Sequence, residues 1–330
     1  MKAVLVERFA PFDQASVADL PDPQAAAGQV VVTIAAVEAN YPDLLVMEGN
    51  YQIKPPLPFS PGKAAAGVIT QIGEAVTDLK VGDRVAVQVE YGSYAEQLCC
   101  YATNCYPMPA ELPFDEAAAL GLVYQTAHFA LVSRARIQPG ETVLVLGASG
   151  GVGVAAVQLA KAFGARTVIA GVLGSDNADI ARLAGADHTI ELGAVDLRDE
   201  LRDQVASFTD GHGVDVVIDP VGGMANAAAL RAMAWCARMV IIGFASGQIP
   251  SIKANYLLVK NIEVSGLQWS DYRERNPQAV ALVQQALFDL WLLGKIKPII
   301  SHRFALADYA KALSLLEQGR AQGKIILLPS

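Results

Sequence analysis

Four hydrogen-bond donors stand close together beside turn signals in the first fifth of the chain. Asn40 and Tyr41 lie in Ala39-Asn-Tyr-Pro-Asp-Leu44, and Asn50 and Tyr51 lie in Gly49-Asn-Tyr-Gln52. Donors of this kind stabilise negative charge that develops on an oxygen during reaction. A tyrosine adds an apolar ring able to stack on a flat substrate. Two readings stand for each tyrosine: a substrate contact, or an amphipathic residue at the edge of a core. Asp43 is either an acid or the cap of a short helix behind Pro42. No Ser/His/Asp set with suggestive spacing occurs, which argues against hydrolysis.

Metal-ligand spacing is equally sparse. The four histidines, His128, His188, His212 and His302, are scattered. His128 falls in an apolar helical run, and the others are expected in solvated positions beside turns. Cys99, Cys100 and Cys105 offer three thiols, but a closed structural zinc site needs four ligands. They read as small packing residues, and no metal is expected. The four cysteines, Cys236 included, show no disulfide-framework spacing, which suits a reducing compartment.

The strongest motif is Glu141-Thr-Val-Leu-Val-Leu-Gly-Ala-Ser-Gly-Gly-Val-Gly-Val154. A short apolar strand runs into a loop of small residues and then into an alanine-rich helix. That order suits a dinucleotide pyrophosphate. Backbone without side chains can approach the phosphates, and the free N–H groups of the new helix face the negative charge. Gly147, Ala148, Ser149, Gly150 and Gly151 form that loop of small residues and are expected to cradle the phosphates. With a bound nicotinamide and no metal, hydrogen bonds must stabilise the oxygen that gains charge as hydride is transferred.

The next strand ends Ile169-Ala-Gly-Val172, where an NAD site would carry an acid for the ribose 2′-OH. Without that acid the expected cofactor is NADPH, with Ser175 and Asn177 as donors to its 2′-phosphate. Asp176 and the lack of a basic residue in this loop pull the other way.

These motifs need two kinds of scaffold. Residues 1–120 read as short strands separated by turns, a barrel-like β domain. From there strands and helices alternate, which means a parallel sheet covered by helices on both faces. Strands are expected at Arg166–Ala170, Val214–Asp219, Arg238–Gly243 and Asn261–Gly266, and helices at Ala178–Ala184, Asn226–Met233 and Pro277–Leu293. The tail carries a strand, a helix at Ala307–Leu316 and a last strand at Lys324–Leu328. It either extends the parallel sheet or returns to the first domain.

The chain has 330 residues, enough for two domains, and is 53% hydrophobic with 18% charged residues. A net charge of −8 without Lys/Arg clusters argues against nucleic acid as the main partner. The N-terminus has no signal-peptide core and no long uncharged apolar span occurs, so no membrane association and a cytoplasmic location are expected.

In order along nearly the whole chain, several motifs resemble the zinc-free quinone oxidoreductases of the medium-chain dehydrogenase/reductase superfamily. They include Asn40-Tyr-Pro-Asp-Leu44, Gly49-Asn-Tyr51, Leu57-Pro-Phe-Ser-Pro-Gly62, Ala66-Gly-Val68 and Val81-Gly-Asp-Arg-Val85. Ala148-Ser-Gly-Gly-Val-Gly153, Val214-Asp-Val-Val-Ile-Asp-Pro-Val-Gly-Gly223, Ile242-Gly-Phe-Ala-Ser-Gly247 and Gly323-Lys324 complete the set.

The resemblance implies an α/β protein with a Rossmann-like parallel sheet domain and a GroES-like β-barrel catalytic domain. The implied division is 1–120 for the barrel, 121–295 for the NADPH-binding domain, and 296–330 for a segment returning to the barrel. It implies NADPH with the loop from Ala148 to Val152 on the pyrophosphate. Gly171 and Ser175 would lie near the adenine ribose, and Thr126, Phe244 and Ala245 toward the nicotinamide. Val221, Gly243 and Lys324 fall in the matched motifs and join the cofactor-binding set. Asn40 and Tyr51 would line the substrate cleft, with Tyr41 beside them. Relatives are commonly homodimers joined through the last strand of the nucleotide-binding sheet, here near Glu263-Val-Ser265.

In zinc alcohol dehydrogenases of the same superfamily, Cys stands where this chain has Asn40, and a His-Glu pair where it has Lys63-Ala64. Many zinc-free relatives keep the Glu, so Lys63 with Ala64 is a departure. Lys63 either binds an anionic substrate or points to solvent. The implied activity is hydride transfer from NADPH to a quinone or related conjugated carbonyl. The alternatives are a reductase of enoyl thioesters or alkenals, and, in another class, a nucleotide-binding protein with a structural or RNA-binding role.

Overall fold

The computed structural model describes residues 1–329. In chain order the first elements are β1 (Lys2–Leu5), β2 (Ser16–Asp19), β3 (Gln29–Ala39), α1 (Tyr41–Met47), β4 (Ala64–Ile72), β5 (Arg84–Gln88), β6 (Gln97–Tyr101), β7 (Cys105–Pro107), α2 (Phe114–Ala119) and α3 (Leu122–His128). A π-helical stretch, Phe129–Arg134, prolongs α3. There follow β8 (Thr142–Leu146), α4 (Gly151–Ala162), β9 (Thr167–Val172), α5 (Ser175–Leu183), β10 (His188–Glu191), α6 (Leu197–Phe208), β11 (Val214–Asp219), α7 (Gly223–Ala232), β12 (Met233–Ile241), α8 (Ala254–Lys260) and β13 (Glu263–Gly266). The chain closes with α9 (Trp269–Arg275), α10 (Pro277–Leu292), β14 (Ile300–Ala305), α11 (Tyr309–Glu317) and β15 (Lys324–Leu328).

Two compact units result. The first takes Met1–Leu122, Pro277–Phe288 and the segment from Ile300 on; the second takes Val123–Asn276 and Asp289–Ile299. Residues 277–288, expected in the nucleotide domain, group with the first unit.

The first unit is built on a seven-stranded sheet in the order β14-β15-β3-β4-β5-β7, with β6 on β3. β3 is the organising strand. Its 11 residues are mostly buried, and it pairs with β6 through its first half, with β15 through its end and with β4 along nearly all its length. Valines and isoleucine dominate it, as a strand buried on its core face requires. The tail returns here: β15 runs antiparallel to β3, with Ile326 opposite Glu38. Val30, Val32, Ile34, Ile69, Val85, Val87 and Leu327 share the core of this unit.

The second unit holds a six-stranded sheet, parallel throughout, in the order β10-β9-β8-β11-β12-β13. Counted from β8, that is the strand order 3-2-1-4-5-6 of a dinucleotide-binding fold. The order reverses between β8 and β11. All five residues of β8 are buried, as expected of a central strand covered on both faces.

Several local expectations shift. β12 begins at Met233 rather than Arg238, with a register irregularity against β11 and a left-handed residue at Cys236 (φ +60°). α6, α8 and β10 had no counterpart among the expected elements. In α6 the apolar positions Leu197, Leu201 and Val205 are set in a strongly charged run, which hides the helix's single buried face. His188 and His302 are not solvated turn residues: they lie on β10 and β14, stacked on Phe208 and Phe304. No helix among the described residues is long and apolar enough to cross a membrane.

Candidate functional site

Asn40 leaves β3 and opens α1, with Pro42 in the first turn, where a missing N–H costs nothing. Asp43 resolves as the helix-start acid. Its Oδ2 accepts the Asn40 N–H at 2.9 Å and the Tyr94 O–H at 3.0 Å. Burial lifts the Asp43 carboxyl to about 6, against the opposing pull of the Lys63 charge and these two hydrogen bonds.

The side chain of Asn40 is wholly engaged. Its Oδ1 accepts from Lys324 Nζ at 2.8 Å, and its Nδ2 donates to Glu38 Oε2 at 3.0 Å and to the Glu38 main-chain O at 3.3 Å. Lys324 Nζ also meets Glu38 Oε1 at 2.7 Å. Glu38 is 0%, Asn40 2% and Lys324 4% exposed. Burial pushes the Glu38 carboxyl up, while the Lys324 ammonium and the hydrogen bonds of Lys324 and Asn40 pull it back. The expected substrate donor at Asn40 thus has both amide hydrogens on Glu38. The expected cofactor lysine, Lys324, has its ammonium turned to Glu38 and Asn40, because a buried carboxylate demands a counter-charge.

Lys63 is buried and not solvated. Its Nζ pairs with Glu90 Oε2 at 2.5 Å, donates to the Glu90 main-chain O at 3.2 Å, and sits 4.6 Å from the centroid of the Tyr51 ring. Its charge is therefore matched within the first unit. Tyr51 is partly buried, and Tyr41 is 45% exposed at the start of α1.

The departure at Ala64 has a structural counterpart. Ala64 on β4 stands in register between Glu38 on β3 and Gln88 on β5. Directly across the ladder from position 64 stands the buried carboxylate of Glu38. Gln88 is fully buried beside Gly121, and neither end of its amide has a hydrogen-bond partner among the described residues.

In the second unit the loop after β8 is shaped by its glycines. Gly147 has φ +62°, and a Cβ there would come within 2.8 Å of Val221. At Gly153 a Cβ would lie 2.1 Å from the Gly147 carbonyl oxygen, so α4 packs on its own loop only through glycine. At Gly150, by contrast, a Cβ would meet nothing nearer than 3.6 Å. The protein's own packing leaves space there. The start of α4 has no side-chain cap, so its first N–H groups are left for an anion. Ala148 is buried, while Ser149, Gly150, Gly151 and Val152 are partly open. These residues fit a pyrophosphate.

Across the switch point, buried Asp219 accepts the N–H groups of Val221 and Gly222, each at 2.8 Å, and Asn226 Nδ2 at 2.7 Å. The turn after β11 is zipped to the turn after β12 by Ala245 N–H on Pro220 O and Ser246 N–H on Val221 O, each at 3.0 Å. Val221, Gly243, Phe244 and Ala245 are thereby brought together, with Phe244 42% exposed. Thr126 is buried on α3. Gly171 and Ser175 flank the loop after β9. Asn177 Nδ2 donates to Leu173 O at 2.6 Å, so that part of its amide is already used.

Sequence reasoning overlooked Glu38, Gln88, Glu90 and Tyr94; the first two are polar residues inside apolar strand runs, and the other two lie in the connection between β5 and β6. The signal was present in Val37-Glu-Ala39, a charge within an otherwise buried strand, but its partner is remote. No group of three or more His, Cys, Asp or Glu side chains that could hold a metal ion occurs among the described residues.

Residues 26–110 match the alcohol dehydrogenase GroES-like domain family, and residues 151–285 match the zinc-binding dehydrogenase family. A quinone oxidoreductase-like protein 2 homolog from Nematostella vectensis is 37% identical over 302 residues, covering 91% of this chain and 81% of its own. The Escherichia coli quinone oxidoreductase complexed with NADPH superposes with a TM-score of 0.90 at 28% identity, covering 100% of both chains. A quinone oxidoreductase from Pseudomonas syringae superposes with a TM-score of 0.90 at 31% identity, covering 99% of each.

Proposed function

Since the chain belongs to the quinone oxidoreductase family of the medium-chain dehydrogenase/reductase superfamily, we propose that it transfers a hydride from NADPH to a quinone or related conjugated carbonyl, without a metal. The observation that carries this reading is the uncapped start of α4 behind a glycine loop, at the reversal point of a 3-2-1-4-5-6 sheet. NADPH supplies the hydride when bound. The chain's part is to seat the pyrophosphate at Ala148 to Val152 and the nicotinamide end near Thr126, Phe244 and Ala245.

On the acceptor side we assign Tyr51 as the donor to the oxygen that gains charge, with Tyr41 beside it. Asn40 and Lys63 hold the surrounding frame. No thiolate, imidazole or carboxylate stands at positions 40, 63 and 64, which supports zinc-independent chemistry. The matched charge of Lys63 weakens the alternative of an anionic enoyl thioester substrate. β13 is an edge strand, which suits pairing with a second copy and hence a homodimer.

The test is a fluorescence titration of NADPH and NADH, followed by a screen of quinones, alkenals and enoyl thioesters for NADPH oxidation. NADH binding as tight as NADPH sinks the cofactor assignment. Tight NADPH binding with no turnover on any acceptor favours a non-enzymatic nucleotide-binding role. Stoichiometric zinc in metal analysis overturns the metal-free chemistry.

A further inference from the structure

The NADPH assignment rests in part on the missing acid at the carboxyl end of β9. The fold delivers an acid to that place from the neighbouring strand. Glu191 is the last residue of β10 and the register partner of Val172 on β9. Its carboxylate bridges two backbone groups, accepting the Gly174 N–H at 2.7 Å through Oε2 and the Gly193 N–H at 2.9 Å through Oε1. Gly174 belongs to the loop that follows β9 and has φ +81°. A Cβ at Gly193 would lie 2.9 Å from Glu191 Oε1, so glycine there leaves room for the carboxylate.

The other groups of this loop do not offset that charge. Asp176 is exposed in the first turn of α5. Arg182, the basic residue of α5, is held by Asp179 Oδ1 and Thr189 Oγ1, each at 2.9 Å. A carboxylate one strand over can do what an acid at the tip of β9 does elsewhere, which is to accept from a ribose 2′-OH. A 2′-phosphate in the same place would have to draw Gly174 N–H from Glu191 and lie beside two negative side chains.

We propose that Glu191 is the specificity-determining residue for the adenosine ribose: it holds down the affinity for NADPH and favours NADH, and so sets the margin between the two cofactors. This rests on the dinucleotide reading of the glycine loop and is independent of the acceptor and of the hydride chemistry.

The experiment is equilibrium titration of NADPH and NADH, by cofactor fluorescence, against the full-length wild type, Glu191→Gln and Asp176→Asn, with thermal melts to show that each is folded. Glu191→Gln keeps the side-chain length and removes the charge. It should move the ratio of the two dissociation constants toward NADPH by about tenfold, and Asp176→Asn should move it less. An unchanged ratio in Glu191→Gln, or an equal shift in Asp176→Asn, overturns the assignment. The wild-type ratio tests the NADPH reading by itself. If wild type prefers NADH and Glu191→Gln reverses this, the NADPH reading fails and the role of Glu191 stands. Failure of every variant to bind either dinucleotide overturns both.

Discussion

Lys324 and Asn40 are 284 residues apart in sequence, yet Lys324 Nζ donates to Asn40 Oδ1 at 2.8 Å. The contact exists because β15 returns to pair with the end of β3. Glu38 completes the set, and all three side chains are buried. A buried pair adds little over an apolar replacement, but breaking it leaves a charge stranded. Glu38→Leu and Lys324→Met should each cost about 3–5 kcal/mol in denaturant unfolding, and the double variant should recover most of that loss. Single variants within ~1 kcal/mol of wild type would show that the ion pair is not sealed from water.

Gln88 carries an amide with no partner at either end among the described residues. A buried polar group left unsatisfied costs about 1–3 kcal/mol, and an apolar group of similar shape avoids that cost. Gln88→Leu should therefore leave the melting temperature unchanged or raise it. A fall of several degrees would reveal a water or ligand that Gln88 holds.

Asp43, which is buried, and His128, which is half-buried, act oppositely on stability between pH 4 and 6.5. Asp43 is raised to about 6, so below the unfolded value of 3.8 its contribution is fully present, and it is lost as pH rises through about 6. Burial lowers His128 to about 4, so its contribution is present above 6.5 and lost as pH falls through about 4. In wild type the two slopes oppose each other. Relative to wild type, Asp43→Asn should make stability rise more, or fall less, with pH across this window, and His128→Gln should make it fall more, with the raised Glu38 carboxyl common to all three proteins. Urea midpoints at half-unit pH steps will show it, and parallel curves for wild type and both variants would refute it.

Tyr51 lies under the Lys63 ammonium, which Glu90 already neutralises. Tyr51→Phe keeps the ring and removes the hydroxyl. It should lower kcat by roughly 10²-fold and leave NADPH affinity unchanged; unchanged kcat would make Tyr51 a packing residue. Lys63→Met should not raise KM for an anionic acceptor more than for a neutral quinone. A selective rise would restore Lys63 as a substrate anchor.

What the sequence by itself determined was local. The glycine loop from Gly147 to Gly153 could be read because its shape is set by consecutive residues. Most of the alternation from β8 onward could be read because most of its strands and helices carry their own period, whereas β10, α6 and α8 do not show one. The return of the tail was open between two sheets, and only pairing with β3 decided it. The same holds for side-chain roles. The sequence offers Asn40 as a donor and Lys324 as a cofactor residue; that both meet Glu38 is decided by strand register. Lys63 had two readings until β4 brought it to Glu90. The missing acid after β9 was a true local observation, but Glu191 reaches that loop from the next strand. Register between strands is fixed by burial of whole faces, so the partner of a buried charge is a property of the assembled sheet.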